Sequence, residues 1–117
     1  MNEQVLDIKD FLERVQDDKP LLIELLDIYV DDFKMKRSVL EAAIKNNNCE
    51  DVRNIAHSLK GSSGNISAKL LRETFLKLEE MGKMKELLPA TDLLSVMDKQ
   101  FVDLIACVEE LKKEFGG

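Results

Sequence analysis

The sequence predicts an all-α protein, an antiparallel up-down four-helix bundle with an additional short N-terminal helix. Apolar residues recur at helical spacing over five stretches, the links between these stretches are short, and no stretch alternates as strongly as a β-strand would. The 117 residues are close to the commonest size of one domain. We therefore expect a single domain that spans residues 1–117.

Start and stop signals indicate where the first two helices begin and end. The short N-terminal helix begins near Asp7 and is expected at about 7–16. Asp18 is an acidic cap before the first bundle helix, expected at about 20–46. A proline in the first turn after Asp18 supports this start. The run of asparagines at 46–48 ends the helix.

The next two helices follow the same logic. Asn48 can cap a helix expected at about 49–64, and two acidic residues in its first turn suit the positive end of the helix dipole. Glycine and asparagine then allow a turn before a helix expected at about 68–82. We expect this helix to end near Gly82.

The last helix, expected at about 89–115, starts around Pro89 and keeps an unbroken three-and-four spacing of apolar residues. Such a seam is typical of a helix that packs along its whole length in a bundle. We expect the methionines and phenylalanines of the chain to lie in the core. The apolar residues of the seam are Leu94, Met97, Phe101, Leu104, Val108, Leu111 and Phe115.

Composition bounds the cellular setting of the chain. A hydrophobic fraction of 44% with a charged fraction of 34% and no tryptophan is typical of a helical protein with charged outer faces. No apolar stretch approaches the roughly 20 residues that cross a bilayer, and residues 1–4 lack the pattern of a secretion signal. We therefore predict a cytoplasmic protein without membrane contact of its own.

Charge and cysteine usage argue against several classes of function. A net charge of −6 without a concentrated basic face disfavours nucleic-acid binding, and we interpret the basic run at 34–37 as a solvated helix face. Cys49 and Cys107 form no Cys-x-x-Cys pair, so we predict reduced thiols and no metal site. No phosphate-binding loop or kinase motif is present, so we expect no ATP site.

The only histidine, His57, points away from the apolar stripe of its helix. At 100° per residue it lies about 150° from the centre of the stripe. Arg53, Lys60, Gly61 and Gly64 share its outward face, as neighbours three and four positions apart do. The stripe consists of Val52, Ile55, Ala56, Leu59, Ser63 and Ile66.

These residue types suit a phosphohistidine. Lys60 and Arg53 could neutralise a phosphoryl group on the imidazole. Gly61 costs on the order of 1 kcal/mol in a helix interior relative to alanine, and close approach by a partner would explain it. Two plainer interpretations stay open, since a lone surface histidine is usually just solvated and a helical glycine can simply relieve a crowded contact.

Ser62 and Ser63 have a structural interpretation. Small side chains permit close helix packing, and serine hydroxyls in helices bond back to backbone carbonyls. We expect both serines to do so.

A longer pattern around the histidine resembles a known family. The run His57-Ser58-Leu59-Lys60-Gly61-Ser62-Ser63, followed by Ala68, Leu71 and Leu78-Glu79, is similar to the signature of histidine-containing phosphotransfer (HPt) domains of two-component phosphorelays. The upstream helix with Phe33 at its middle and the long closing helix also match the layout of the family. The resemblance covers nearly the whole chain.

The resemblance implies roles for individual residues. His57 matches the histidine that accepts the phosphoryl group, Lys60 matches the lysine beside that group, and Gly61 matches the glycine that leaves room for a docking receiver domain. Ser67 departs from the pattern, because the family usually has glycine just before the position of Ala68. A serine there can cap the next helix.

The implied function is a reversible relay of a phosphoryl group between receiver-domain aspartates and the outer nitrogen of His57. The expected partners are response-regulator receiver domains and a hybrid sensor histidine kinase. We expect a monomer without its own cofactor, with Mg²⁺ on the receiver. Helix geometry adds a docking face of Arg53, Asn54, Gly61 and Gly64.

Two alternatives belong to other classes. A helical adaptor could bind receiver or kinase domains through the same face without being phosphorylated, although an adaptor does not need a nucleophile there. A phosphohistidine phosphatase is a weaker alternative, since one histidine lacks a visible second catalytic group.

Overall fold

The computed structural model describes residues 5–116. Within this range the chain forms five helices and no strand. The secretion-signal prediction rests on residues 1–4, which lie outside the described residues, as does residue 117. The helices are α1 (Ile8–Arg14), α2 (Lys19–Lys45), α3 (Cys49–Asn65), α4 (Lys69–Met84) and α5 (Ala90–Phe115).

Three helices begin at side-chain caps, and the sequence predicts two of them. Asp7, Asp18 and Asn48 stand at the N-caps of α1, α2 and α3, and each side chain accepts a hydrogen bond from the backbone N–H three residues on. Such a bond satisfies one of the four N–H groups that lack a partner at a helix start. The local sequence therefore fixes these starts. The predicted caps Asp18 and Asn48 are confirmed, and the structure adds Asp7 as a third.

The end of α4 differs from the prediction. The helix runs past Gly82 to Met84, and it ends because Lys85 takes the left-handed conformation with φ 59°. Gly82 has a packing role instead. A Cβ at this position would stand 2.7 Å from the backbone nitrogen of Arg53 and from the carbonyl oxygen of Cys49. Its missing side chain lets α4 lie directly against the first turns of α3.

Ser67 does not cap α4, although a serine at this position could do so. The N-cap of α4 is Ala68, which makes no side-chain cap. Ser67 itself lies in the left-handed region with φ 61°, which explains why glycine suits the position. Its hydroxyl donates instead to Oδ2 of Asp10 at 2.6 Å, while the Asp7 N–H donates to its carbonyl. These two bonds tie α1 to the link between α3 and α4.

The four longer helices contact one another in a closed ring. α3 packs against α2 and α4, α5 packs against α2 and α4, and α1 packs against α2. Between α2 and α3, and between α2 and α5, the cross-linking residues have numbers that rise along one helix and fall along the other. The cross-linking pairs are Tyr29–Ser63 and Lys36–Ser58 between α2 and α3, and Arg37–Asp98 and Asp27–Lys112 between α2 and α5.

Phe33 lies at the centre of the core. Its ring stacks on Phe101 with 3.9 Å between centroids, and the edge of Phe75 meets it at 6.0 Å. α2, α4 and α5 therefore meet at one aromatic cluster. The predicted burial of the methionines is only partly right, because Met97 is buried but Met35 is 67% exposed. Met84, the last residue of α4, is exposed as well.

The basic run at 34–37 is not simply a solvated face. Lys36 forms an ion pair with Asp32 and donates to Ser58, and Arg37 makes two hydrogen bonds to the carboxylate of Asp98. Two of its cations are thus engaged within the protein. None of the helices in the described range combines the length and hydropathy that a membrane crossing requires.

Two helical glycines test this packing in opposite directions. Gly82→Ala places a Cβ against backbone atoms that cannot rotate away, so we expect it to lower the free energy of unfolding by about 1–3 kcal/mol despite its higher helix propensity. Gly61→Ala is the matched control, since no atom lies within 4 Å of its added Cβ. We expect it to raise the free energy of unfolding by about 0.5–1 kcal/mol. Urea unfolding of both variants measures the two effects, and a shared sign would contradict the packing described here.

Candidate functional site

His57 lies in the middle of α3 and faces solvent. Its side chain is 68% exposed, while Val52, Ala56, Leu59 and Ser63 of the same helix are buried. The outward placement follows from the helical period, because a residue opposite the apolar stripe cannot reach the core. An approaching partner can therefore reach the imidazole.

One carboxylate of α4 organises the site. Oε2 of Glu79 lies 2.7 Å from Nδ1 of His57, and Oε1 of Glu79 accepts a hydrogen bond from Nζ of Lys60 at 2.7 Å. Glu79 is largely buried, with its side chain 16% exposed. A single side chain of α4 thus holds two side chains of α3 beside each other.

The charge of Glu79 decides which imidazole nitrogen is free. The hydrogen bond from Lys60 holds the pKa of Glu79 below its ordinary value, and the bond from His57 lowers this pKa further. Near neutral pH the carboxylate is ionised and can only accept hydrogen bonds, so Nδ1 of His57 is the donor. In a neutral imidazole, Nε2 then carries the lone pair.

Lys60 is less exposed than helix geometry alone predicts. Its side chain is 21% exposed because it lies along α4 to reach Glu79. An ammonium group has three N–H donors, and Glu79 takes one of them. Because His57 and Lys60 bond to the same carboxylate, the ammonium group brings positive charge close to the imidazole.

The two glycines of the predicted docking face differ in their surroundings. Gly61 is open, since nothing lies within 4 Å of the position where a Cβ would stand. Its presence in a helix therefore does not relieve a contact within the described protein. Gly64 is half-buried, because Cδ of Arg72 lies 3.3 Å from its Cβ position.

Arg53 and Asn54 are exposed one turn before His57, as predicted for the docking face. They line a shallow polar cleft of about 250 Å³ where the first turns of α3 meet the end of α4. The other residues that line this cleft are Cys49, Glu50, Gly82, Lys83 and Lys85.

The opposite flank of α3 is more apolar. A cleft of about 260 Å³ separates α3 from α2, and its lining includes Leu25, Ile28 and Ser62. Ile28 is 58% exposed, and Val39 further along α2 is exposed as well. The exposed face of α3 that carries Asn54, His57 and Gly61, here called the His57 ridge, is thus polar on the side toward α4 and apolar on the side toward α2.

The two serines that follow Gly61 have separate partners. Ser62 donates to the carbonyl of Leu59, as predicted for a helical serine. The expectation is wrong for Ser63, whose hydroxyl lies 2.6 Å from the hydroxyl of Tyr29. Both side chains are buried there, and burial raises the pKa of Tyr29. This pair links α2 to α3 within the core.

Sequence analysis assigns no role to Glu79 and does not single out Lys83 or Lys85. Helix geometry relates residues of one helix only, and these three act across the contact between α3 and α4. The Leu78-Glu79 pair within the family-like pattern is the one signal that pointed to α4. The described residues contain no group of three or more His, Cys, Asp or Glu side chains placed to hold a metal ion.

Comparisons with known proteins agree on one family. The family model described as the Hpt domain matches residues 24–114. The crystal structure of histidine-containing phosphotransfer protein B (HptB) from Pseudomonas aeruginosa PAO1 superposes with a TM-score of 0.87 at 27% sequence identity, covering 95% of this chain and 96% of that one. A comparison with curated proteins found no match. The chain belongs to the Hpt domain family, the histidine phosphotransfer domains of phosphorelays.

Proposed function

We propose that His57 is the residue that carries the phosphoryl group, and that it accepts the group on Nε2. The hydrogen bond between Nδ1 and Glu79 carries this proposal, because it occupies the inner nitrogen and leaves the outer one free at an exposed position. The phosphoryl donor is an aspartyl phosphate of a receiver domain.

The transfer step balances without a base that removes a proton. The lone pair of Nε2 attacks phosphorus in line with the leaving oxygen, the Nε2–P bond forms, and the P–O bond to the aspartate breaks. The aspartate leaves as a carboxylate. Nδ1 keeps its proton, so the ring gains positive charge, and the ionised Glu79 stabilises that charge at 2.7 Å.

Lys60 supplies positive charge on the side where the phosphoryl oxygens gather. Glu79 holds its ammonium group beside the imidazole before the partner arrives, so little reorganisation is needed. Arg53 lies one turn away and adds to the positive potential. The receiver supplies Mg²⁺, held by its own carboxylates, and this chain needs neither a cofactor nor an ATP site.

Docking takes place on the ridge that carries His57. Asn54, Gly61 and Gly64 form the surface against which the receiver packs. The apolar side chains around Ile28 lie beside this surface. An apolar centre with a polar rim is typical of protein interfaces. The partners are response-regulator receiver domains and, for the supply of phosphoryl groups, a hybrid sensor histidine kinase.

The scaffold that presents this ridge is an antiparallel up-down four-helix bundle of α2 to α5, with α1 packed across one end. The opposite order of cross-linking residues in neighbouring helices supports this arrangement. We propose that it acts as a monomer in the cytoplasm.

His57→Gln should abolish phosphotransfer and leave the fold intact. The side chain is exposed, so we expect the free energy of unfolding to change by less than about 0.5 kcal/mol. The measurement is transfer of labelled phosphoryl groups from a panel of receiver domains, with acid lability and base stability of the label as the chemical test. Label that persists on the variant would place the acceptor elsewhere.

Glu79→Ala should slow transfer by about tenfold to a hundredfold, because a hydrogen bond to a charged group contributes about 1.5–3 kcal/mol. Glu80→Ala is the matched control, because Glu80 faces the other side of α4 and lines a different cleft. A ¹⁵N spectrum of His57 supplies a second readout. Wild type should show the Nδ1–H tautomer, the Glu79 variant should lose that preference, and an unchanged tautomer would remove Glu79 from the mechanism.

Gly61→Gln should block docking through bulk in the open space above Gly61, whereas Gly61→Ala should be tolerated better. Both variants should fold, since both residues favour the helix more than glycine does. We expect kcat/KM for transfer to fall at least about tenfold in the glutamine variant, because the added side chain keeps the reacting groups from the close approach that transfer needs. Equal rates for wild type and the glutamine variant would show that the receiver does not approach there.

A further inference from the structure

The polar cleft beside His57 holds three cations, of which Lys83 and Lys85 have no part in the proposed transfer step. Arg53 projects from α3, Lys83 from the last turn of α4, and Lys85 from the residue that ends α4. All three are exposed and line the same cleft of about 250 Å³. The cleft lies one helical turn from His57 along α3, so a partner centred on the imidazole covers it.

The charge of this cleft is opposite to that of the chain. The whole protein carries a net charge of −6, yet the cleft contains three cations and one acidic residue, Glu50. Within residues 5–116, no ion pair or side-chain hydrogen bond engages Arg53, Lys83 or Lys85. Lys60, which also lies beside His57, is by contrast paired with Glu79. The cleft therefore presents uncompensated positive charge at the edge of the docking ridge.

The proposed partner has the complementary charge for chemical reasons. A domain that carries a phosphoryl group on an aspartate and holds Mg²⁺ needs several carboxylates around that aspartate, because Mg²⁺ takes oxygen ligands. Its phosphorylation site is an acidic surface. When the aspartyl phosphate is brought in line with Nε2 of His57, the rim of that surface lies over the cleft.

We propose that the cleft of Arg53, Lys83 and Lys85 binds carboxylates on the rim of the receiver's phosphorylation site and steers the receiver onto His57. This inference rests on the proposed function. Charges at the rim of an interface act mainly on the association rate and on its salt dependence. The cleft thus favours receivers with an acidic rim and adds little to the chemical step.

α4 offers a matched pair of lysines for the test. Lys83 lines the cleft beside Arg53, whereas Lys77 lines a cleft on another side of the helix with Met84 and Leu88. Both are exposed, so Lys83→Glu and Lys77→Glu change the net charge of the chain equally. Only the first change alters the surface next to His57.

Association with a panel of receiver domains is measured by stopped flow at ionic strengths of about 0.02 M and about 0.3 M, where the Debye length falls from roughly 20 Å to roughly 6 Å. We expect Lys83→Glu to reduce the association rate about tenfold at low salt, and less than about threefold at high salt. Lys77→Glu should stay within about twofold of wild type under both conditions.

Two features keep the experiment decisive. Lys83→Glu puts a negative charge at the C-terminus of α4, so Lys83→Gln, which adds no such charge, is measured as well and should give a smaller loss of the same kind. Association is measured in a His57→Gln background, so docking is read without transfer. Failure of wild type to accept a phosphoryl group would overturn the proposed function. The association rates would still show whether the cleft contributes to docking.

Equal losses for Lys83→Glu and Lys77→Glu would overturn the proposal, because net charge alone would then explain them. A loss for Lys83→Glu that is as large at high salt as at low salt would overturn it too, since a screened charge effect cannot persist. A wild-type association rate without salt dependence would have the same consequence.

Discussion

The site depends on one carboxylate that two helices share. Glu79 projects from α4 between His57 and Lys60 of α3 and bonds to both at 2.7 Å. This single contact sets the tautomer of the imidazole, aims its outer nitrogen at solvent, and keeps an ammonium group next to it. It forms only because α3 and α4 approach closely. Gly82 allows that approach, because backbone atoms of α3 occupy the space that a Cβ on Gly82 would need. The reactive arrangement is therefore a consequence of helix packing.

Glycine serves two opposite purposes on this pair of helices. Backbone atoms of α3 occupy the space beside Gly82, so the small size of this residue contributes to stability. Gly61 has empty space beside it, and its helix-propensity cost of about 1 kcal/mol has no compensation within the described protein. A glycine that lowers helix stability without improving internal packing is explained by contact with a partner. Together with the exposed imidazole, the open space at Gly61 supports the proposal that the partner comes closest there.

The sequence was informative where the determining interactions are local. Asp18 and Asn48 cap helices through bonds to residues three positions on, and the exposure of His57 follows from the helical period. The sequence failed where partners come from distant parts of the chain. Ser67 donates a hydrogen bond to Asp10, 57 residues away, instead of capping α4, and Glu79 lies 22 residues from His57. No periodicity within one helix encodes such pairings, and only the resemblance to a family pattern drew attention to Glu79.

The account is tested most directly by the position of the phosphoryl group on the ring. His57 labelled with ¹⁵N is phosphorylated by a receiver domain, and long-range ¹H–¹⁵N and ³¹P correlations identify the nitrogen bonded to phosphorus. The bridge from Glu79 predicts phosphorus on Nε2 and a proton retained on Nδ1. Phosphorus on Nδ1, or a phosphorylated protein whose His57 carries no phosphorus, would contradict the account.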